Sequence, residues 1–585
     1  MTEPSDTAIA LLERLAANEL RQVVDFLDGE SPHVCAVILI EATRCMDQVY
    51  IGQKLGRHNA RKLAFQDFDI VIRGYNVLIS LLLERLGAPM PGMPLATSTL
   101  ETRNMAMGLM HAAGRHVVLY RAADMVRHGM IGAEMNGEKL RLACTDRTLT
   151  DHFHDQVDFS LMQKWRRRGE GSRIAKPSVE EWKRVRAEMG KLTFPWVTAR
   201  GTMIGYTTTH EIDEFFAMRM AEDLASWRDD AGIWPHTELG GFSGSLLLEM
   251  AHALASLKLK HIVFVEEGAR LHADVNYSMS MTIWRPFEEV VESMLHVTGA
   301  PESEVRAGLE WLLATKAHSG YFRSEHTPGV PLLIEVHAPY VLAPVSAIFR
   351  NPLSLARMMR ERTHPKCRAA LNDAREDWMR MDVYALFQGD RYRLVDGQVR
   401  LRRGRTTATD IDAAVFDTTT GDLVLFQLKW QDFSTSSVAA QLSKAKNFTE
   451  QVEKWGARTT QWIDEFGVDA LYRNLRLKRP NDKPDGRVRL VAVGRTAARF
   501  RSFGFDVGKD VLVVSWSQLA RLRVTIGPGR DFFELLARAA TWESETTVAR
   551  VPMPYTMTSG YQDVEFVDIW SGFDEGDDDD AEIAD

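Results

Sequence analysis

Asp412, Gln427 and Lys429 bring an acid, an amide and an amine within reach of one another in this 585-residue chain. Hydrolysis of a phosphodiester needs a hard cation, oxygen ligands to hold it and a group that activates water. Asp412 can offer a carboxylate oxygen to Mg²⁺ (or Mn²⁺), and Gln427 its side-chain carbonyl oxygen. Lys429 can orient the attacking water or stabilise charge that builds on the phosphate.

The elements that must position these groups are two adjacent β-strands. Thr409-Asp410-Ile411-Asp412-Ala413-Ala414-Val415-Phe416-Asp417 reads as one, and Leu423-Val424-Leu425-Phe426-Gln427-Leu428-Lys429-Trp430 as the other. Side chains alternate faces along a strand, so Asp410 and Asp412 share a face, and so do Gln427 and Lys429. The connection Thr418–Asp422 contains Gly421 and has hairpin length. Folding it places Asp412 beside Gln427 and Lys429. Such polar groups on otherwise apolar strands are costly unless they bind something. The bland alternative is an amphipathic hairpin with a solvated polar edge.

At these residues the chain resembles the PD-(D/E)xK nuclease superfamily, and within it the Mrr-type restriction endonucleases, where Gln replaces the second acid. Asp412 matches the motif aspartate, and Gln427-Leu428-Lys429 matches the (D/E/Q)xK triplet. The family places a Glu-bearing helix before these strands. Here Lys366 to Gln388 reads as that helix, with Glu376 as the best match and Asp377 next. The resemblance covers about Lys366 to Ala540. It implies metal ligation by Asp412, Gln427 and Glu376, catalysis by these three with Lys429, and DNA as the substrate.

The flanking sequence suits that reading. Tyr392 to Arg402 reads as a small hairpin turned at Asp396-Gly397. Ser436 to Phe466 carries apolar residues at helical spacing, and Val488–Val493 and Val511–Trp516 read as strands, the latter running into a helix. Helix, strands, helix, strand, strand is the order of an α/β core with a mixed sheet.

The 45% hydrophobic and 26% charged content is that of a globular protein. No apolar run reaches the ~18 residues of a membrane helix, and the first residues lack a secretory signal. Four cysteines without CxxC spacing read as free thiols in a reducing cytoplasm. The net charge of −9 hides an asymmetry. Residues 366–540 carry 30 Lys+Arg against 22 Asp+Glu, whereas residues 541–585 carry 1 against 13. A basic segment suits a polyanion. Arg402, Arg403, Arg405, Lys444, Arg476 and Lys478 are its candidate nucleic-acid contacts, the alternative being solvated surface. Residues 541–585 read as an acidic, largely disordered tail.

Residues 1–235 read as a mainly helical domain, with helices near 6–27, 34–55, 65–86, 98–130 and from Pro177. A boundary is expected near Trp234–Gly241. Residues 236–365 read as a mixed α/β connecting region, with candidate strands at His261–Val265 and Val330–Val336. Three other constellations there are set aside. Asp151-His152-Phe153-His154-Asp155 lacks a third metal ligand. His210-Glu211-Ile212-Asp213-Glu214 lacks the second His of a zincin helix. Gly240–Ser245 is similar to a nucleophile elbow but has Ser245 where Gly is needed. No Walker A lysine is present.

The expected architecture is therefore α+β and multidomain: a large helical N-terminal region joined to a restriction-endonuclease-like α/β domain. The expected function is metal-dependent hydrolysis of DNA in restriction, phage defence or repair, with no membrane partner and with self-association open. The rivals are a nuclease-like fold that binds without cutting, and a ribonuclease on the same fold.

Overall fold

The computed structural model describes residues 4–55, 63–87, 96–137, 139–145, 178–325, 329–337, 339–363, 365–430, 438–478, 486–496, 510–526, 550–569 and 571–573, with single positions between 498 and 508. The architecture is α+β, with several helical layers and mixed sheets.

The N-terminal region opens with four long helices, α1 (Pro4–Asp28), α2 (Pro32–Leu55), α3 (Phe65–Arg85) and α4 (Leu100–Arg127). Hairpin β1 (Ile131–Asn136) and β2 (Lys139–Cys144) follows. Next come α5 (Val179–Lys191), hairpin β3 (Thr193–Thr198) and β4 (Gly201–Tyr206), and helices α6 (His210–Ala231) and α7 (Gly244–Leu271). Strand β5 (Ile283–Pro286), helices α8 (Phe287–Thr298) and α9 (Glu302–Leu312), and strands β6 (Leu313–Ala314), β7 (Leu333–His337) and β8 (Tyr340–Ala343) build a four-stranded sheet ordered β5-β8-β7-β6 and its cover. Helix α3 packs on α4 so closely that a Cβ at Gly74 would lie 1.7 Å from the Met110 carbonyl oxygen, and one at Gly114 would lie 2.0 Å from that of Ile70. Only glycine permits that approach of two helix backbones.

Two expectations change in this region. His261–Val265 is not a strand but the middle of α7, whose residues are buried on nearly every side. The apolar stripe that marks a helix vanishes when the whole circumference is covered. Second, one hydrophobic core runs from Val23 through Leu254 to Leu371, so side chains from both sides of residue 235 pack together. Gly240–Ser245, set aside as a nucleophile elbow, is the turn that leads into α7, with the Ser243 hydroxyl accepting from the Leu246 amide as N-cap. The 151–155 constellation lies outside the described residues.

Helices α10 (Pro352–Thr363) and α11 (Pro365–Ala385) follow, and Leu353 to Leu371 still pack in the core that runs from Val23. Strands β9 (Tyr392–Leu394), β10 (Val399–Arg403), β11 (Thr406–Ile411), β12 (Ala413–Asp417) and β13 (Leu423–Lys429) follow. Then come α12 (Val438–Phe466), α13 (Val468–Asn474), β14 (Val488–Gly494), β15 (Val511–Ser515) and α14 (Trp516–Ile526). Five strands form one sheet in the order β15-β14-β13-β12-β9. It is mixed: β13, β14 and β15 are parallel, while β12 runs antiparallel to β13 and β9. Alternation along β13 splits its apolar residues between two cores. Val424, Phe426 and Leu428 pack with Met379 and Val383 of α11 and Leu519 of α14. Leu423 and Leu425 pack with Phe448, Val452 and Trp455 of α12. Helices thus cover both faces.

The small hairpin expected over 392–402 is not one. The turn at Gly397 exists, with φ +66°, but β9 joins the large sheet beside β12, while β10 pairs with β11 in a separate two-stranded ribbon. The expected continuous strand 409–417 also divides. The chain bends at Asp412 between the ribbon and the sheet.

The acidic tail is shorter than expected. Strands β16 (Arg550–Pro552), β17 (Tyr555–Ser559), β18 (Gln562–Phe566) and β19 (Ser571–Phe573) lie within 541–585. Strand β18 runs parallel to β2, giving a sheet ordered β1-β2-β18-β17. Met557, Val564 and Phe566 join a core with Leu12, Leu15, Leu119 and Leu142. Asp574–Asp585 lies outside the described residues.

Candidate active site

Asp412 occupies the bend where the ribbon feeds the sheet. Its backbone N–H donates to the Phe426 carbonyl (3.1 Å), which fixes it level with the end of β13. Its side chain is 3% exposed. The carboxylate is held from three directions. Oδ2 accepts from the Leu428 amide (2.8 Å) and from Gln427 Nε2. Oδ1 accepts from Gln398 Nε2 (3.1 Å). Its backbone carbonyl accepts from Arg380 Nε (2.5 Å), and Arg380 also pairs with Asp377 (2.7 Å).

Gln427 is buried beside it and Lys429 is half-buried at the strand end. Glu376 comes from α11, the helix that lays Met379 and Val383 on the sheet. Its side chain reaches solvent, yet it feels the charges of Asp412 and Lys429. Partial burial first, and then the Asp412 charge, raise the affinity of Glu376 for its proton, while Lys429 opposes the shift. Burial likewise raises Asp412, against the hydrogen bonds from Leu428 and Gln398, with Asp410 adding to the rise. The four residues named by the sequence therefore share one neighbourhood, and its two acids are under-compensated for negative charge.

The Gln427 amide differs from its expected use. Its nitrogen, not its carbonyl oxygen, faces Asp412. For both residues to ligate one cation through oxygen the amide must turn over, a change of orientation with almost no change of shape.

Sequence reasoning missed several residues around this cluster. Gln398 arrives from the turn after β9, and Arg380 stands one helical turn beyond Glu376. The Arg495 amide donates to the Lys429 carbonyl (2.9 Å). Its guanidinium lies over Trp430 (5.1 Å) and Trp516 (5.5 Å) and pairs with Asp382. Only the spacing of Arg380 from Glu376 was visible beforehand.

Arg402, Arg403, Arg405, Arg476 and Lys478 stand away from the site. Arg402 faces Thr407 across the ribbon, and Arg403 faces Thr406. With ~3.3 Å per residue they stand roughly 17–20 Å along the strand from Asp412, as does Arg405 in the turn beside them. Arg403 pairs with Glu465 (2.8 Å) at the end of α12. Arg476 and Lys478 follow α13, whose Tyr472 hydroxyl donates to Gly421 in the β12–β13 turn (3.2 Å), the far end of the hairpin from Lys429. Lys444 is half-buried on the first turns of α12.

Among the described residues no three His, Cys, Asp or Glu side chains are grouped so as to hold a metal ion. The set here has two acids and an amide, so its fit to a metal rests on chemistry. Two carboxylates of raised proton affinity, an amide oxygen available on rotation and a lysine nearby suit a hard divalent ion. Among the described residues no helix is long and apolar enough to cross a membrane. No family model matches the chain, and comparisons with curated proteins and solved structures return no match.

Proposed function

We propose that the chain is a metal-dependent nuclease that hydrolyses phosphodiester bonds of DNA. The observation that carries this reading is the convergence of Asp412, Glu376, Gln427 and Lys429 at one end of a mixed sheet. Asp412 and Glu376 would hold Mg²⁺ or Mn²⁺, with Gln427 joining through its oxygen. When bound, the ion supplies a Lewis acid for the phosphate and a more acidic water. Lys429 sets the position of that water or takes up charge on the phosphate oxygens. The Leu428 amide and Gln398 hold the Asp412 carboxylate in place, so its orientation does not wait for the ion. A surplus of positive charge over 366–540 supports a polyanionic substrate.

The donation from Gln427 nitrogen to Asp412 favours a second reading, in which the unit binds nucleic acid without cutting it. One experiment separates the two and also tests DNA against RNA. Purified protein is incubated with plasmid, linear duplex, single-stranded DNA and RNA, each with Mg²⁺, Mn²⁺ or EDTA. Cleavage of DNA that EDTA abolishes is the expected result. Binding without cleavage under every metal overturns it.

A further inference from the structure

Gln398 touches a second carboxylate besides Asp412. Its Nε2 lies 2.9 Å from Asp410 Oδ2 and 3.1 Å from Asp412 Oδ1. The register explains why. Arg400 faces Asp410 and Val399 faces Ile411 across the ribbon, so residue 398 falls level with residue 412. The turn through Gly397, at φ +66°, brings the chain back to this point.

Two carboxylates two residues apart, one near the end of β11 and one at the bend after it, would ordinarily repel, or share a cation between them. Here an amide with two N–H donors sits between their oxygens. Both neighbours are acceptors, so the nitrogen must be the end that faces them. Bridging oxygens at 2.9 and 3.1 Å from this nitrogen leave no room for an ion that binds oxygen at ~2.0–2.6 Å. We propose that Gln398 stands in for a second cation between Asp410 and Asp412, so that the site takes a single divalent ion, held on the Glu376 side of Asp412. This rests on the metal-dependent reading and adds the number of ions and the residue that sets it.

The test counts ions on the full-length chain by Mn²⁺ calorimetry, with electron paramagnetic resonance to quantify free Mn²⁺. Asp412→Ala is subtracted in every case, which removes ions held elsewhere, the acidic C-terminal run included. Wild type should lose one ion on Asp412→Ala. In the Gln398→Glu background, where a third carboxylate replaces the donor, Asp412→Ala should remove two. Gln398 is on the surface, and an unchanged thermal melt establishes that the variant folds. Two ions in wild type overturn the inference and leave the metal-dependent reading standing. So does one ion in both wild type and Gln398→Glu. No ion in either overturns both.

Discussion

Lys429 brings positive charge to two carboxylates that lack it, and its loss should fall on rate. Lys429→Ala is expected to lower DNA cleavage by about 10²-fold or more while circular dichroism and DNA binding stay close to wild type. Undiminished cleavage would remove Lys429 from the site. The two acids make a pH prediction. Asp412 and Glu376 both hold protons more tightly in the folded chain than free carboxylates do. Their contribution to stability is therefore present below the ordinary carboxylate range and lost as pH rises through the raised values. A cation binds the ionised pair, so Mn²⁺ should raise the melting temperature of wild type above that window and much less below it. A Mn²⁺ shift that persists unchanged at acid pH, or in Asp412→Ala, would point to other ligands. Asp412 and Lys429 were legible in the sequence because period-two alternation and a short Gly-bearing turn are local facts, whereas Glu376 was named only through the family resemblance. Gln398 was not, since its approach depends on β10 pairing with β11 rather than β9. Arg495 was not either, because it reaches Lys429 only through the parallel pairing of β13 with β14.

The elements around the site are held by the end of α6. Gly232 terminates that helix at φ +64°, a conformation that costs other residues about 1–3 kcal/mol. Arg375, directly before Glu376, donates to the carbonyls of Ala231 (3.2 Å) and Gly232 (3.4 Å) and lies over Trp430 (5.4 Å). A Cβ at Gly232 would come within 2.6 Å of both Arg375 Nε and Trp430 Cζ2. One glycine thus touches the neighbours of Glu376 and of Lys429. Gly232→Ala is expected to lower the urea midpoint, in line with a loss of about 1–3 kcal/mol, and to weaken Mn²⁺ binding as well. An unchanged midpoint would mean that both side chains move aside without cost. Helices α1 and α4, which keep exposed positions along their length, could be read from their pattern. The apolar centre of α7 could not, because burial on every side erases the periodicity that separates helix from strand. The β9–β10 error has a similar cause: a turn signal fixes a reversal of the chain, not which strands then pair.

At the scale of the whole molecule, the chain closes on itself. Strands β17 and β18 return to the first helices and to β2, more than 400 residues away in sequence. Composition hid this, since two short strands adjoin a strongly acidic run and their partner is remote. The closure divides the expected tail into two parts with opposite expected behaviour. Met557, Val564 and Phe566 are each no more than 2% exposed, and burial of such side chains contributes roughly 1.5–3 kcal/mol each. Tyr555 also donates to Asp67 (2.8 Å) and Ser559 to Glu19 (2.7 Å). A chain ending before Arg550 should therefore melt at a lower temperature and expose the α1–α4 layer to protease. A chain ending after Phe573 loses eight acidic residues and no basic one, without touching that core. It should melt as the full chain does. If the acidic run competes with DNA for the basic unit, this shorter chain should bind DNA more tightly at low ionic strength. The gain should fade near 0.1 M salt and above, where charges farther apart than ~10 Å are screened. Fluorescence anisotropy of a labelled duplex at two salt concentrations reads the difference. Equal affinities at the lower salt would leave the acidic run without a part in DNA binding, and equal melting of the two truncated chains would break the argument that the C-terminal hairpin closes the N-terminal core.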